Sequence, residues 1–133
     1  MYLFDASAIV NLVKKASLTA FAEGVTLDLA LYESLNAVWK EYRLLKRIDE
    51  DTALKLAEII SDLFKVIKTL SIKGSEREIL SLASREGTTV YDASYLYTAL
   101  KNNLILVTDD RKLKEKASRH VKVLTSSQLA TTR

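Results

Sequence analysis

The alternation of apolar and polar positions is most informative over residues 90–110. Apolar residues recur at helical spacing behind Asp92, which predicts an amphipathic helix that begins with this acid. Two asparagines at 102–103 favour its end, because asparagine tolerates the left-handed conformation of a C-terminal cap. Residues 104–107 are a short apolar run, which predicts a buried strand. Two more acids follow that strand immediately.

Two similar strand-and-helix units are predicted in the first third of the chain. Residues 2–4 are apolar and end at Asp5, and a helical pattern follows them. Residues 25–31 predict a second strand, and a helix is expected from about Tyr32, with Glu33 in its first turn. The predicted buried stripe of this helix consists of Leu35, Val38, Trp39, Tyr42 and Leu45.

The middle of the chain, up to residue 87, is predicted to be helical. A helix capped by Asp49 has an apolar stripe of its own, so it is expected to form an αα-hairpin with the helix before it. Ser75 is expected to cap the next helix, because Glu78 follows at the spacing of a capping box. Gly87 is expected to end that helix.

The last third completes the predicted fold. Residues 111–120 predict a basic helix, 121–124 a last strand and 125–133 a polar tail. Long helical connections force neighbouring strands to pair in parallel through right-handed crossovers. The expected fold class is therefore α/β, a small doubly wound parallel sheet of about four or five strands with helices on both faces. The predicted strands lie near residues 2–4, 25–30, 104–107 and 121–124, in a single domain of residues 1–133.

Composition narrows the possible chemistry. The chain has 133 residues and 48% hydrophobic content, enough for an ordinary globular core. The absence of cysteine excludes disulfides and thiolate chemistry and is compatible with a reducing cytosol. The single histidine, His120, excludes a His-rich zinc site and is expected on the surface. No apolar run reaches the roughly 18 residues of a membrane span and no signal peptide precedes the first strand, so we expect a cytoplasmic protein.

The net charge is only +3, but it is unevenly distributed. Residues 101–122 contain seven basic and three acidic side chains. A basic surface beside an acidic pocket suits a polyanion that is held while a metal ion acts on it. Taken alone, the same charges are more typical of a solvated helix face.

Four acidic positions are predicted to meet at one edge of the sheet. Asp5 and the pair Asp109 and Asp110 directly follow strands, and parallel strands end at the same edge. Glu33 begins the helix after the second strand, at that edge as well. Asp92 follows a helix, so its position is fixed less directly. Each acid by itself is explained as a helix cap or as a partner of the helix dipole.

Together these acids predict a metal site. Crowded carboxylates repel one another, and no lysine or arginine lies within two residues of Asp5, Glu33 or Asp92 to compensate their charge. Oxygen ligands without histidine or cysteine indicate a hard cation, Mg²⁺ or Mn²⁺. Such an ion polarises a phosphoryl oxygen and activates water for in-line attack. The predicted chemistry is hydrolysis of a phosphodiester without a covalent protein intermediate.

Four short motifs carry a resemblance to a known family. They are an apolar residue followed by Asp-Ala-Ser at 4–7, Glu-Ser-Leu-Asn at 33–36, Tyr-Asp-Ala-Ser-Tyr at 91–95 and Leu-Val-Thr-Asp-Asp at 106–110. The chain resembles the PIN domain nucleases, and more narrowly the VapC-type toxins of VapBC toxin–antitoxin systems. The resemblance covers essentially the whole chain, in the expected order and spacing.

This resemblance implies a set of functional residues. Carried over by position, the catalytic and metal-binding carboxylates are Asp5, Glu33, Asp92 and Asp110, with Asp109 as the alternative to Asp110. The matching supporting residues are Ser7, Asn36 and Thr108. The resemblance also implies bound Mg²⁺ or Mn²⁺, RNA as substrate, a homodimer and a VapB-like antitoxin that blocks the active site. The candidates for RNA contact are Arg111, Lys112, Lys116 and Arg43.

The expected function is that of a metal-dependent endoribonuclease, the toxin of a toxin–antitoxin pair. Two alternatives remain within the family: a housekeeping PIN nuclease in RNA processing, and a non-catalytic PIN scaffold that binds RNA or protein. The small size disfavours the first, and the presence of all four acids disfavours the second. A phosphatase of the haloacid dehalogenase type needs a second aspartate two residues after the first, where this chain has Ser7.

Overall fold

A parallel sheet forms the centre of the molecule. The computed structural model describes the backbone of residues 1–132 and the side chains of residues 1–130. The strands of this part of the chain are β1 (Tyr2–Phe4), β2 (Gly24–Leu27), β3 (Lys68–Leu70), β4 (Ile105–Val107) and β5 (Val123–Leu124). Their order is β3-β2-β1-β4-β5, and all neighbouring pairs are parallel. This arrangement confirms the predicted parallel α/β sheet.

Helices cover both faces of the sheet. They are α1 (Ala6–Lys14), α2 (Leu29–Trp39), α3 (Glu50–Val66), α4 (Glu76–Glu86), α5 (Val90–Asn102), α6 (Arg111–Ala117) and α7 (Ser126–Thr132). The helices α1, α2 and α3 pack against one another, and α4 packs against α5. Right-handed crossovers place these two groups on opposite faces, because the chain reverses its direction across the sheet after β3. The adjacent α2 and α3, between β2 and β3, confirm the predicted αα-hairpin.

Shorter helical segments complete the description. A 3-10 segment, Leu18–Glu23, precedes β2, and a π-helical segment, Lys40–Leu44, continues α2. Within residues 1–132, every helix is too short or too polar to span a lipid bilayer.

The central strand β1 explains the apolar start of the chain. Leu3 lies opposite Val25 of β2 and Leu106 of β4, and all three are buried. Because helices cover both faces, Leu3 and Phe4 of β1 are fully buried, and the strand is a continuous apolar run. Gly24 is required in β2, since a Cβ at this position would lie 2.4 Å from the Phe4 ring.

Helix boundaries test the capping predictions. The Asp49 carboxylate accepts the N–H of Thr52 at 2.8 Å and caps α3, as expected. Gly87 ends α4 and Asn103 ends α5, both in the left-handed conformation, with φ of 67° and 53°. Ser75 occupies the N-cap position of α4, but its side chain makes no capping hydrogen bond, so the predicted capping box is wrong.

Two boundaries after the first strand also differ from the prediction. β2 ends at Leu27 and α2 begins at Leu29, earlier than the expected start at Tyr32, with Asp28 as its N-cap. β3 is a strand that the sequence pattern does not predict. Two of its three residues are exposed at the edge of the sheet, so it lacks an apolar signature.

α2 buries a face of small side chains and exposes large apolar ones, so the predicted buried stripe of this helix is largely wrong. Ala30, Ser34 and Val38, spaced four residues apart, are buried. These short side chains allow α2 to lie close to α1. Of the predicted buried stripe, Val38 is buried and Tyr42 partly buried, whereas the exposed members are Leu35, Trp39 and Leu45.

The C-terminal segment is helical rather than the expected polar tail. α7 packs against α1 and β5, and its Leu129 is completely buried. A single apolar residue among polar neighbours gives no helical periodicity, so the pattern does not reveal this helix. The end of the predicted tail, at Arg133, lies outside the described residues.

Candidate active site

The candidate site lies where the strand order changes direction. β1 and β4 are neighbours, but the chain leaves β1 towards β2 and leaves β4 towards β5, on opposite sides. The connections therefore diverge and leave a crevice at the carboxyl ends of these two strands. Asp5 directly follows β1, and residues 108–110 directly follow β4.

Asp5 is buried at the floor of this crevice. Its Oδ1 accepts the backbone N–H of Ala8 at 2.9 Å, which caps α1, and the hydroxyl of Ser7 at 2.7 Å. Its Oδ2 accepts the hydroxyl of Thr108. Burial raises the pKa of Asp5 to about 6, because the loss of hydration outweighs these hydrogen bonds, and the nearby charge of Asp109 adds to the effect.

Thr108 and Ser7 join the ends of β1 and β4. The Thr108 hydroxyl donates to Asp5 and accepts the backbone N–H of Asp110 at 3.0 Å. The Ser7 hydroxyl accepts the backbone N–H of Asp109 at 2.9 Å and lies 3.3 Å from the Thr108 hydroxyl. Two of the three residues that the resemblance implies as supporting therefore contact the acids directly.

Asp109 and Asp110 have different surroundings. The Asp109 carboxylate accepts the side-chain amide of Asn11 at 2.7 Å, and the backbone N–H and hydroxyl of Ser126 at 2.8 and 2.6 Å. It therefore connects the β4 loop to α1 and α7. Asp110 is exposed, and one of its oxygens accepts the backbone N–H of Leu113 at 3.2 Å, which caps α6.

Glu33 reaches the site from the second turn of α2. The prediction of a first-turn position is wrong, because α2 begins at Leu29. Its Oε1 accepts the hydroxyl of Tyr95 at 2.8 Å. Burial raises the pKa of Glu33, and the charges of Asp92 and Asp110 raise it further against the effect of that hydrogen bond.

Asp92 lies inside the first turn of α5 rather than at its start. The helix begins at Val90, and the hydroxyl of Thr89 accepts the backbone N–H of Asp92 at 3.1 Å, so the cap is Thr89. The Asp92 side chain is half-buried. Burial and the charge of Asp110 raise its pKa, and the charge of Lys112 partly offsets them.

Three of the four implied ligands, Glu33, Asp92 and Asp110, act on one another electrostatically, and Asp5 is linked to them through Thr108. Thr108 joins Asp5 to the backbone of Asp110, and the charge of Asp110 in turn raises the pKa of both Glu33 and Asp92. Among the described side chains, none of the four forms an ion pair. An all-oxygen donor set with uncompensated negative charge fits a hard divalent cation. Among the described residues, no three histidine, cysteine, aspartate or glutamate side chains lie close enough together to hold a metal ion. Binding of an ion therefore requires the acidic side chains to move closer to one another.

The other predicted site residues in this part of the molecule are exposed, on α2 and at the start of α6. Asn36 is exposed on α2, one turn after Glu33. Arg111 and Lys112 are exposed at the start of α6, immediately after Asp110.

Two further basic candidates have structural contacts. The Lys116 ammonium donates to the carbonyl oxygen of Glu86 at 2.6 Å, at the C-terminal end of α4. Arg43 is exposed in the π-helical segment, 5.7 Å from the centre of the Tyr42 ring. His120 binds the Glu86 carboxylate at 2.9 Å at the surface, as expected.

Three residues that contact the acids are not among the predicted site residues. Tyr95 lies three residues after Asp92, so helical spacing places both on one face of α5, and this spacing is a usable signal. Asn11 and Ser126 bind Asp109 from distant parts of the chain, and no local pattern indicates either of them.

An apolar groove of about 820 Å³ lies at the opposite end of the sheet. Its lining includes Met1, Gly24 and Lys68, which lie at the beginnings of β1, β2 and β3. The acids lie at the other ends of the strands, so this groove is separate from the candidate active site.

The fold and the acidic crevice define the class of protein to which the chain belongs. Residues 2–118 match the family described as PIN domain. The crystal structure of PAE2754 from Pyrobaculum aerophilum superposes with a TM-score of 0.77 at 32% identity, covering 98% of this chain and 94% of that one. The chain belongs to the PIN domain family.

Its relatives define the type within that family. Exonuclease VapC9 of Pyrobaculum aerophilum is 36% identical over 126 residues, which cover 93% of this chain and 91% of that protein. Ribonuclease VapC3 of the same organism is 42% identical over 93 residues, 68% of this chain and 69% of that protein. A chain in the structure of FitAB bound to IR36 DNA fragment shares the fold, with a TM-score of 0.62 and 19% identity over 95% of both chains. Among PIN domains, this is a VapC-type protein.

Proposed function

We propose that this protein is a divalent-metal-dependent endoribonuclease and the toxin of a VapBC-type pair. One observation supports the proposal: the charge of Asp110 raises the pKa of Glu33 and of Asp92, Thr108 links Asp110 to the buried Asp5, and none of the four has an ion-pair partner among the described side chains. The names of the relatives VapC9 and VapC3 support nuclease activity. RNA as the substrate is supported by the second of these names and by the basic start of α6.

Mg²⁺ or Mn²⁺ would be held by Asp5, Glu33, Asp92 and Asp110. When bound, such an ion polarises the scissile phosphodiester and lowers the pKa of an attacking water. We assign the fourth position to Asp110 because its charge acts on both Glu33 and Asp92. The Asp109 carboxylate is instead bonded to Asn11 of α1 and Ser126 of α7. Ser7 and Thr108 hold Asp5 in one orientation, so little reorganisation is needed at the floor of the site.

RNA would approach from the side of α6. Arg111 and Lys112 are exposed and follow Asp110 directly, and the charge of Lys112 acts on Asp92. Phosphates that reach the crevice therefore meet positive charge beside the acids, which supports a polyanionic substrate.

Cleavage within the strand is proposed because the acidic crevice is open. Asp110 is exposed, and Glu33 and Asp92 are half-buried, so a continuous strand has access to the site. The relative VapC9 is named an exonuclease, so the two modes of cutting must be tested directly. A circular single-stranded RNA is the appropriate substrate, since only an endonuclease linearises it.

The exposed face of α2 supports a protein partner. Tyr32, Leu35 and Trp39 lie on one stripe of this helix and are 77%, 40% and 47% exposed. Glu33 and Asn36 lie on the same helix beside this stripe. A large exposed apolar surface of this kind is typical of an interaction site. We propose that a VapB-like antitoxin covers it and thereby blocks the crevice, and that the toxin forms a homodimer.

The proposal is tested with purified protein, linear and circular RNA, and Mg²⁺, Mn²⁺ or EDTA. We expect both RNAs to be cut with metal and neither to be cut with EDTA. Asp92→Asn should reduce cleavage at least 100-fold, on the order of the effect of losing one charged stabilising group at an active site. Asp49→Asn, which changes a helix cap outside the site, should retain activity.

Three results would contradict the proposal. Cleavage of linear RNA alone would indicate an exonuclease. Equal activity in EDTA would exclude a metal-dependent reaction. RNA binding without cleavage of any tested RNA would favour the non-catalytic scaffold.

A further inference from the structure

A tyrosine hydroxyl is buried among the acids of the crevice. Tyr95 is only 2% exposed and extends from α5, one turn after Asp92. Its hydroxyl donates to Oε1 of Glu33 at 2.8 Å and so joins α5 to α2. The charge of Asp5 also acts on this phenol.

The hydroxyl has one proton to donate, and Glu33 receives it. A carboxylate can only accept a hydrogen bond, so the phenol is the donor in this contact. In the described part of the chain, no other side chain donates a hydrogen bond to Glu33. The orientation of Glu33 therefore depends on Tyr95.

We propose that Tyr95 is a positioning residue that fixes Glu33 for cation binding through the hydrogen bond to Oε1. This inference rests on the proposed function of the four acids as a metal site. The hydrogen bond leaves Oε2 of Glu33 available to the ion. It also restrains the orientation of a flexible side chain.

A purely structural role makes a different prediction. If Tyr95 only fills the core, its ring matters and its hydroxyl does not, since phenylalanine has the same ring. Tyr95→Phe therefore removes the hydrogen bond while keeping the buried volume. Loss of a group that orients a metal ligand typically lowers metal affinity about 10–100-fold.

The first experiment is Mn²⁺ titration calorimetry of the full chain without RNA. We expect Tyr95→Phe to raise the Kd for Mn²⁺ about 10–100-fold relative to the unmodified protein. Tyr97→Phe is the matched control, because Tyr97 lies on the same helix, is partly buried and does not contact the acids. Its Kd should be unchanged.

The second experiment measures RNA cleavage as a function of Mn²⁺ concentration. Tyr95→Phe should need more Mn²⁺ for half-maximal activity, with kcat at saturating metal restored and KM for RNA unchanged. In a Glu33→Gln background, Tyr95→Phe should have no further effect on the Kd for Mn²⁺, because the residue acts through Glu33.

The outcomes separate this inference from the proposed function. A Tyr95→Phe protein that binds Mn²⁺ like the unmodified chain, or that does not fold by circular dichroism, overturns the positioning role. Weaker Mn²⁺ binding by this variant, with no RNA cleavage even by the unmodified chain, supports the positioning role and overturns the nuclease proposal. No Mn²⁺ binding by the unmodified chain overturns both.

Discussion

At the scale of single residues, burial decides the protonation of the acidic crevice. Asp5 has an ordinary pKa of 3.8, which the fold raises to about 6. The native state therefore binds more protons than the unfolded chain at pH values between these two. The free energy of unfolding must then fall as the pH rises through this window.

The first prediction concerns this pH dependence without metal. As the pH rises from 5 to 7.5 in EDTA, the ionisation of Asp5 should lower the free energy of unfolding by about 1–2 kcal/mol. Glu33 and Asp92 act in the same direction, because burial raises their pKa values as well. Urea unfolding at the two pH values measures the difference. Asp5→Asn should remove most of it, and an equally steep dependence in this variant would contradict the assignment to Asp5.

Helix caps at this scale show what local sequence can and cannot specify. Asp49, Gly87 and Asn103 act as predicted, because capping depends on one residue and its immediate neighbours. The start of α5 is different, since Thr89 and Asp92 are both plausible caps and only the backbone path selects Thr89.

At the scale of elements, Asp109 connects the loop after β4 to two helices. It follows β4 and accepts hydrogen bonds from Asn11 of α1 and Ser126 of α7. Removing the carboxylate leaves these donors without their acceptor and loosens α7, whose main anchor is the buried Leu129.

The second prediction follows from this connection. Asp109→Ala should lower the free energy of unfolding by about 2–3 kcal/mol and speed hydrogen exchange in α7, because hydrogen bonds to a charged acceptor are lost. Asp62→Ala, on the exposed face of α3, is the control and should change stability little. Asp109→Asn should still bind Mn²⁺. A loss of Mn²⁺ binding in that variant would make Asp109, and not Asp110, the fourth ligand.

At the scale of the whole molecule, the small net charge of +3 does not by itself attract RNA. The positive charge at the start of α6 lies beside the crevice, where it can attract phosphates locally. The effects of local charge and of net charge on RNA binding can be separated by substitution, because the chain also has exposed lysines far from α6 in the sequence. Lys55 and Lys65 of α3, for example, pair weakly with neighbouring acids on their own helix.

The third prediction compares two variants with the same net charge. Replacing Arg111 and Lys112 by glutamine should weaken RNA binding and reduce the slope of log K against log salt by up to about 1.4, or 0.7 per phosphate contact. Replacing Lys55 and Lys65 by glutamine should leave the slope unchanged. Filter binding between 50 mM and 200 mM salt, the range over which such slopes are usually resolved, measures both. Equal slopes in the two variants would remove α6 from the RNA-binding surface.

The sequence by itself determined the order of most elements and the chemistry of the acids. Short apolar runs separated by long helical stretches require parallel strands, and this alone brings Asp5 and the acids after β4 to one edge. These features depend on residues close in the chain, or on the general rule that strands joined by long helical connections pair in parallel. They can therefore be predicted from the sequence pattern.

Only the tertiary structure decided which side chains meet. The pattern gave no sign of β3 or α7, since an edge strand and a helix with one buried leucine need little apolar sequence. The pattern predicts that the large apolar side chains of α2 are buried. In the structure, close packing against α1 buries the face of small side chains instead. The hydrogen bond from Asn11 distinguishes Asp109 from Asp110, and the hydrogen bond from Tyr95 orients Glu33. These bonds join residues up to about a hundred positions apart. Such contacts depend on how distant elements pack, which local periodicity does not encode.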